Sequence, residues 1–237
     1  GHYTMFLWPM GDREVFMDLA QMMSGARVTF AYIVPGGVRT DLPEGFKEKA
    51  LKYIDYFEKR LVEYDRIFFS NPFLLERTQG VGVLKKQDAI DLGVVGPTLR
   101  ASGVHSDTRK DEAYDVYDQM DFEVPVLDFG DSYARCMIPY LEMKQSLSII
   151  RQALEKMKTG PVKSKLPPGM RIPPGEAYGR AEAARGALAF YIVSDGTPKP
   201  YRLKVSSPSF RNLIALPHIM RGYRLADMPV IYWSLNY

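Results

Sequence analysis

The side chains able to hold a metal or attack a bond are few: one cysteine, Cys136, and three histidines, His2, His105 and His218. A single thiol makes no internal disulfide, no Cys-rich zinc site and no iron–sulfur cluster, so any redox centre that the chain serves lies elsewhere. No His-Glu-x-x-His or similar pair appears, and no metal site is assigned. There is no Walker loop and no Gly-x-Ser-x-Gly elbow. Gly80-Val81-Gly82 lacks the third glycine of a dinucleotide fingerprint and is read as turns. Cys136 falls on an apolar helical stripe and is expected to be a small core residue. His218, after Pro217 in an apolar segment, is expected to pack, and His105 and His2 have no evident partner.

Two segments combine backbone-permissive residues with fixed charges: Gly25 to Pro43, with Arg27 and Arg39, and Gly96 to Lys110, with Arg100, Asp107 and Arg109. In the second, the two arginines and the aspartate can form a fork-paired network that orients the loop at a site or at a subunit contact. Spacing alone favours the plainer reading, an ordinary salt bridge that braces the loop.

The elements that must position these loops follow from periodicity. Phe46, Ala50, Ile54, Phe57, Leu61, Tyr64 and Phe68 recur at helical spacing, with Asp41 and Glu44 read as a capping box before them. Lys47, Glu48, Lys52, Asp55, Glu58 and Lys59 are assigned to a solvated face. A second stripe runs from Tyr133 to Met157, and Pro139 predicts either a kink or a start later than Asp131. Asn71-Pro72 and Ser207-Pro208 each predict a capped helix start. Ala187 to Ser194, the Asp195-Gly196 turn and Tyr201 to Val205 predict a hairpin, and the five prolines between Thr159 and Gly175 an extended linker. The fold class expected is α+β, mainly α: a helical part over 1–158, a linker over 159–175 and an α+β tail over 176–237, forming one domain.

The chain has 237 residues, 46% hydrophobic and 25% charged, with a net charge of +3, which excludes disorder and gives no basis for a nucleic-acid partner. Its apolar runs, Tyr3 to Met10 and Ala187 to Val193, fall well short of the ~18 residues that span a bilayer. No secretory pattern opens it, which favours the cytoplasm. The apolar Tyr3 to Trp8 and Val230 to Tyr237 are expected to be buried, and both ends are read as cuts in a longer protein.

Both loop segments, together with Tyr114-Asp115-Val116-Tyr117-Asp118, Phe122 to Val126, Ser146 to Leu154, Tyr191 to Gly196, Lys199 to Val205, Pro208-Ser209-Phe210 and Leu225-Ala226-Asp227, closely resemble one family. It is the D-type subunit of complex I (NADH-quinone oxidoreductase), a relative of the large subunit of nickel–iron hydrogenases, and the resemblance implies the hydrogenase large-subunit-like fold. It further implies a peripheral subunit on the cytoplasmic side of the cell membrane. Its partners would be the iron–sulfur subunit carrying the terminal 4Fe–4S cluster, other hydrophilic-arm subunits and membrane-arm subunits. Quinone would be the substrate, reduced in the cavity beside that iron–sulfur subunit, and no cofactor would be bound by this chain. By resemblance Arg27 and Thr29 face the cluster. Pro35, Gly36, Gly37, Arg100, Ser102, Asp107 and Arg109 lie on cavity or subunit-contact loops, and Asn236 and Tyr237 lie near the cavity. The family's quinone-contacting histidine, tyrosine and aspartate fall outside this sequence, so no catalytic residue is carried over and the chain alone is expected to be inactive.

Two departures from the family pattern bear on function. Many respiratory members have histidine where this chain has Thr29, and threonine does not titrate near neutral pH. The linker is also short, lacking the helical stretch usual before Glu176, as in archaeal and deazaflavin-dependent relatives, which leaves the electron donor open among NADH, a deazaflavin and ferredoxin. The main alternative is a membrane-bound nickel–iron hydrogenase large subunit, which needs two Cys-x-x-Cys pairs, the second usually preceded by Asp-Pro where this chain has Asn236-Tyr237. A third reading is a scaffold whose aromatic stripes and 12 methionines dock neighbouring subunits.

Overall fold

The computed structural model describes residues 3–167 and 172–236. The chain divides into two compact units, Gly1–Phe68 with Leu147–Met170, and Phe69–Ser146 with Arg171–Tyr237.

In the first unit, α1 (Tyr3–Asp12) and α2 (Glu14–Ser24) lead to a short hairpin, β1 (Ile33–Val34) and β2 (Gly37–Val38), and then to α3 (Phe46–Tyr64). The expected burial of Tyr3 to Trp8 does not hold. Met5 and Asp12, two turns apart on one face of α1, are buried, whereas Tyr3, Phe6 and Leu7 are more than half exposed. The α3 stripe is as expected, with Phe46, Ala50, Ile54, Leu61 and Tyr64 buried and the six intervening charges exposed. Phe57 meets Phe16 of α2 edge-on, centroids 5.1 Å apart. The Asp41–Glu44 capping box is not formed. Gly45, in a left-handed conformation at φ 76°, is the residue before the helix, and Asp41 instead accepts from the Leu42 N–H. The helix passes directly into a π-helical turn, Asp65–Phe69.

The start of the proline-rich stretch is not free. Val162 O accepts from the Val38 N–H at 3.0 Å, and the Ser164 N–H donates to Gly36 O at 2.8 Å, so this strap lies antiparallel beside the hairpin. The approach is close enough that a Cβ on Gly37, at φ 146°, would stand 2.2 Å from Val162 O. Pro168 falls outside the described residues.

The second unit begins with α4 (Pro72–Thr78), where Asn71 caps as expected by accepting from the Phe73 N–H at 2.9 Å. Next come α5 (Lys86–Asp91), α6 (Pro97–Arg100), α7 (Thr108–Asp111) and the 25-residue α8 (Ser132–Lys156), whose residues from Leu147 belong to the first unit. Asp131 accepts from the Ala134 N–H, so α8 starts where the aspartate suggested and carries Pro139 within it, and Met157 lies beyond its end. The antiparallel sheet β3 (Gly175–Ala183), β4 (Gly186–Ser194) and β5 (Arg202–Ser206) contains the expected hairpin, with Val193 opposite Arg202. Its connection is a longer loop rather than a tight turn at Asp195-Gly196. Then follow α9 (Pro208–Asn212), α10 (Leu216–Ile219) and α11 (Met228–Ser234). Ser207 precedes α9, but its hydroxyl makes no capping bond.

The core of this unit joins Leu84, Ala89 and Val94 to Ala215, Ile219, Ile231 and Leu235, while Trp233, expected inside, is 72% exposed. His218 is not packed inside either. It points outward from α10 and lies 3.2 Å from the Asp88 carboxylate, because the buried face of that turn is taken by Ile219.

Candidate functional site

Arg100 is the centre of the largest buried charge cluster in the second unit. Gly96 adopts φ 64°, where a Cβ would stand 2.3 Å from Gly186 Cα, and this contact seats the loop on the β3–β4 turn. Pro97 then opens a single helical turn that carries Thr98 and Arg100 inward. The Arg100 guanidinium donates from Nε to Glu142 Oε1 at 2.7 Å, and from Nη1 to Ser106 O at 2.7 Å and Glu182 Oε1 at 3.0 Å, with Asp107 Oδ2 at 3.7 Å. Glu182 Oε2 accepts from the Thr108 N–H at 3.1 Å.

Asp107 caps α7 by accepting from the Arg109 N–H, and the Arg109 side chain returns to fork the same carboxylate, Nε to Oδ1 at 2.9 Å and Nη2 to Oδ2 at 2.6 Å. The guanidinium also lies over the Phe122 ring, 5.0 Å from its centroid. Burial alone would raise the Asp107 carboxyl, but the Arg109 fork and Arg100 outweigh it and hold it below the usual range. Glu142 goes the other way: burial pushes its carboxyl up against the pull of Arg100.

The structure thus brings together three residues assigned from sequence, Arg100, Asp107 and Arg109. Ser102 is buried beside them but donates to Thr98 O at 3.3 Å and takes no part in the charge network. A cavity of about 90 Å³ lined by Ser106, Thr108, Asp111, Arg180 and Glu182 adjoins the cluster. It falls short of the ~300 Å³ or more usual for ligand pockets.

The other assigned residues lie in the first unit or at the chain's end. Arg27 folds back on α2, its Nη1 2.8 Å from Asp18 Oδ1 and its Nη2 on Glu14. Thr29 is exposed and sits at φ 55°, a conformation that a β-branched side chain disfavours, with its hydroxyl on Val28 O. Pro35-Gly36 is the two-residue turn joining β1 to β2, with Gly36 at φ 88°, the positive value that the third position of a type II turn requires. Gly37 begins β2 against the strap. Asn236 is half-buried at φ 50°, and Tyr237 falls outside the described residues.

Four buried groups have no counterpart in the residues singled out from sequence. Glu142 and Glu182 complete the Arg100 cluster. Asp12 accepts from the hydroxyls of Tyr56 and Tyr64 and from Arg60 Nε at 2.6 Å, and the i, i+4, i+8 spacing of those three donors on α3 is a signal that was available. Despite burial, which raises it, the Asp12 carboxyl is held low by these donors. Arg135 donates to Ser234 Oγ, Gly130 O and Gly82 O, all uncharged, and burial brings its pKa down to about 10. Its neighbour Cys136 is half-buried by surface exposure, with its thiol pushed up to about 11 by burial, in keeping with a structural thiol. Among the described residues no group of three His, Cys, Asp or Glu side chains is placed to hold a metal.

The family model described as "Respiratory-chain NADH dehydrogenase, 49 Kd subunit" matches residues 1–167 and 165–237. A D-type subunit of NADH-quinone oxidoreductase from Rhizobium etli (strain CIAT 652) is 41% identical over 262 aligned positions, covering all of this chain and 65% of the relative. The D-type subunit of the F420H2 dehydrogenase of Methanosarcina mazei is 43% identical over 242 positions, again with the whole chain and 65% of the relative covered. A chain in the solved structure of the membrane-bound sulfane sulfur reductase, an archaeal respiratory membrane complex, superposes with a TM-score of 0.95 at 39% identity, over 100% of this chain and 66% of that one. The chain therefore spans about 65% of the length of the curated relatives it matches. The two pieces of the family match meet in the proline-rich strap, at residues 165–167.

Proposed function

This chain belongs to the family of the respiratory-chain NADH dehydrogenase 49 Kd subunit, and from that premise we propose that it forms one wall of the quinone site in a complex I-like oxidoreductase. The carrying observation is the match along the entire chain, which includes both charged loops. In this reading electrons arrive from a 4Fe–4S cluster held by a neighbouring iron–sulfur subunit and pass to quinone. This chain has one cysteine and supplies no cluster ligands. The complex is a peripheral-plus-membrane assembly with this chain on the cytoplasmic side. No helix among the described residues is long and apolar enough to cross a membrane.

The chain's own contribution is positional. Arg27 is fixed by two acids of α2, and the Gly96–Lys110 loop is pinned from within by Arg100, so both loops are held in shape before any partner docks. Thr29 takes the place where many respiratory members have a histidine. An imidazolium there favours a reduced cluster at low pH, and a threonine provides no such coupling. The cluster served by this chain accordingly has a lower and less pH-dependent potential, which suits a low-potential quinone.

The strong likeness to a sulfane sulfur reductase chain favours a second reading, in which the acceptor is sulfane sulfur. Purifying the assembled complex and measuring turnover with a water-soluble quinone and with polysulfide separates the two. Quinone reduction supports the first, and reduction of polysulfide alone overturns it, as does nickel in the purified complex. Redox titration at two pH values then tests Thr29: the potential should be nearly constant in the natural complex and shift with pH in Thr29→His.

A further inference from the structure

Three carboxylates, Asp107, Glu142 and Glu182, meet two guanidinium groups, Arg100 and Arg109, in the interior of the second unit. With every acid ionised the cluster holds one negative charge in excess, which a poorly solvated interior resists. The hydrogen bonds identify the acid able to relieve it. Both oxygens of Asp107 are taken by the Arg109 fork. Both oxygens of Glu182 are also taken, Oε1 by Arg100 Nη1 and Oε2 by the Thr108 N–H. A proton on either would face a donor. Glu142 differs, because Oε1 accepts from Arg100 Nε and no protein group donates to Oε2 among the described residues.

We propose that Glu142 is the proton-binding member of this cluster, the first of its three acids to take up a proton, on Oε2, as the pH falls. The groups facing it are Arg100 from α6, Asp107 and Arg109 from the start of α7, and Glu182 from β3; Tyr114, which accepts from the Glu182 N–H, lies behind Glu182. Burial pushes the Glu142 carboxyl up, Arg100 and Arg109 oppose this, and Asp107 adds to it. Its side chain is 14% exposed, so the proton exchanges with solvent: the acid gives a carboxylate and a solvated proton, and no other bond changes. The inference rests on the cluster alone and not on the identity of the electron acceptor.

The test is infrared spectroscopy of the full chain carrying 13C-labelled glutamate carboxyls. As the pH is lowered from 8, the C=O stretch of a neutral carboxylic acid should appear for Glu142 before it appears for the other glutamates, and that first component should be absent from Glu142→Gln. A first component that persists in Glu142→Gln overturns the proposal. The amide of Glu142→Gln still accepts from Arg100, so the variant should melt at the parent's temperature at pH 5 and at or above it at pH 8. A variant that melts several degrees lower at pH 8, or that does not fold, refutes the proposal and assigns Glu142 as a stabilising ionised partner of Arg100.

Discussion

Replacing Asp107 by asparagine separates charge from shape in the loop. The amide oxygen still accepts from the Arg109 N–H, so the cap of α7, worth ~1 kcal/mol, is kept. What is lost is the anionic partner of Arg109, whose side chain is only 14% exposed while that of Asp107 is 1% exposed. Removing one member of a buried pair costs about 3–5 kcal/mol because the other charge is left uncompensated. The lower end applies here: Arg109 keeps its contact with Phe122, and Arg100 keeps Glu142 and Glu182. About 3 kcal/mol of destabilisation is expected for Asp107→Asn in urea unfolding at pH 7. The pH dependence follows from the depressed pKa. Asp107 binds its proton less readily folded than unfolded, so its stabilisation is fully present above the unfolded value of 3.8 and is lost as the pH falls through the lower folded value. The gap between parent and variant should be level from pH 7 to pH 5 and close in stronger acid. A gap under about 1 kcal/mol at pH 7, or one that persists unchanged in acid, would show that the fork is not what holds the loop.

The strap makes a second target. Gly37→Ala puts a methyl 2.2 Å from Val162 O, so residues 162–164 should detach, and the Val38 and Ser164 amides should exchange with deuterium at least tenfold faster while amides of α3 are unaffected. Unchanged protection at both would mean the strap does not depend on this contact. The Cys136 thiol, pushed up to about 11, should react with a soluble disulfide reagent at pH 8 far more slowly than a free thiol until denaturant is added; rapid labelling of the folded chain would contradict its burial. Asp12→Asn should weaken the α1–α3 contact by about 2–4 kcal/mol at neutral pH, read by proteolysis within α1, because Arg60 loses its anionic partner and two tyrosine hydroxyls lose a charged acceptor.

Local chemistry was legible in the sequence. The α3 stripe, the Asn71 cap and the β4–β5 hairpin each depend on residues a few positions apart, and the fork between Asp107 and Arg109 spans two. The failures at Asp41 and Ser207 differ: at Asp41 the left-handed Gly45 comes between it and the first turn, whereas Ser207 stands directly before α9 with an extended backbone like that of Asn71 and its hydroxyl still makes no capping bond. At α1 the composition indicated a buried segment, but the segment is a helix that packs by one stripe, and only the stripe of Met5 and Asp12 faces inward. Resemblance, not periodicity, supplied the family and the two loops as sites, because fold and function are separable on physical grounds.

The partners of Arg100 show where single-sequence reasoning stops. Glu142 is 42 residues away and Glu182 is 82, so no spacing rule links them. The sheet gives the clearest case. Along β3 and β4 the residues alternate, with Arg180, Glu182 and Ala189 on one face and Phe190 and Ile192 on the other, joined there by Leu203 and Val205 of β5. Alternation reveals two faces, and a polarity rule turns the apolar one inward. The structure does the reverse: Glu182 and Ala189 face the interior, and Phe190, Ile192, Leu203 and Val205 are 38–54% exposed. The buried Arg100 is one physical reason, because a guanidinium closed off from water needs carboxylates, and Glu182 delivers one only if its own face of the sheet is the inner face. The inner face of the sheet thus carries the carboxylate that a buried cation outside the sheet's own sequence requires.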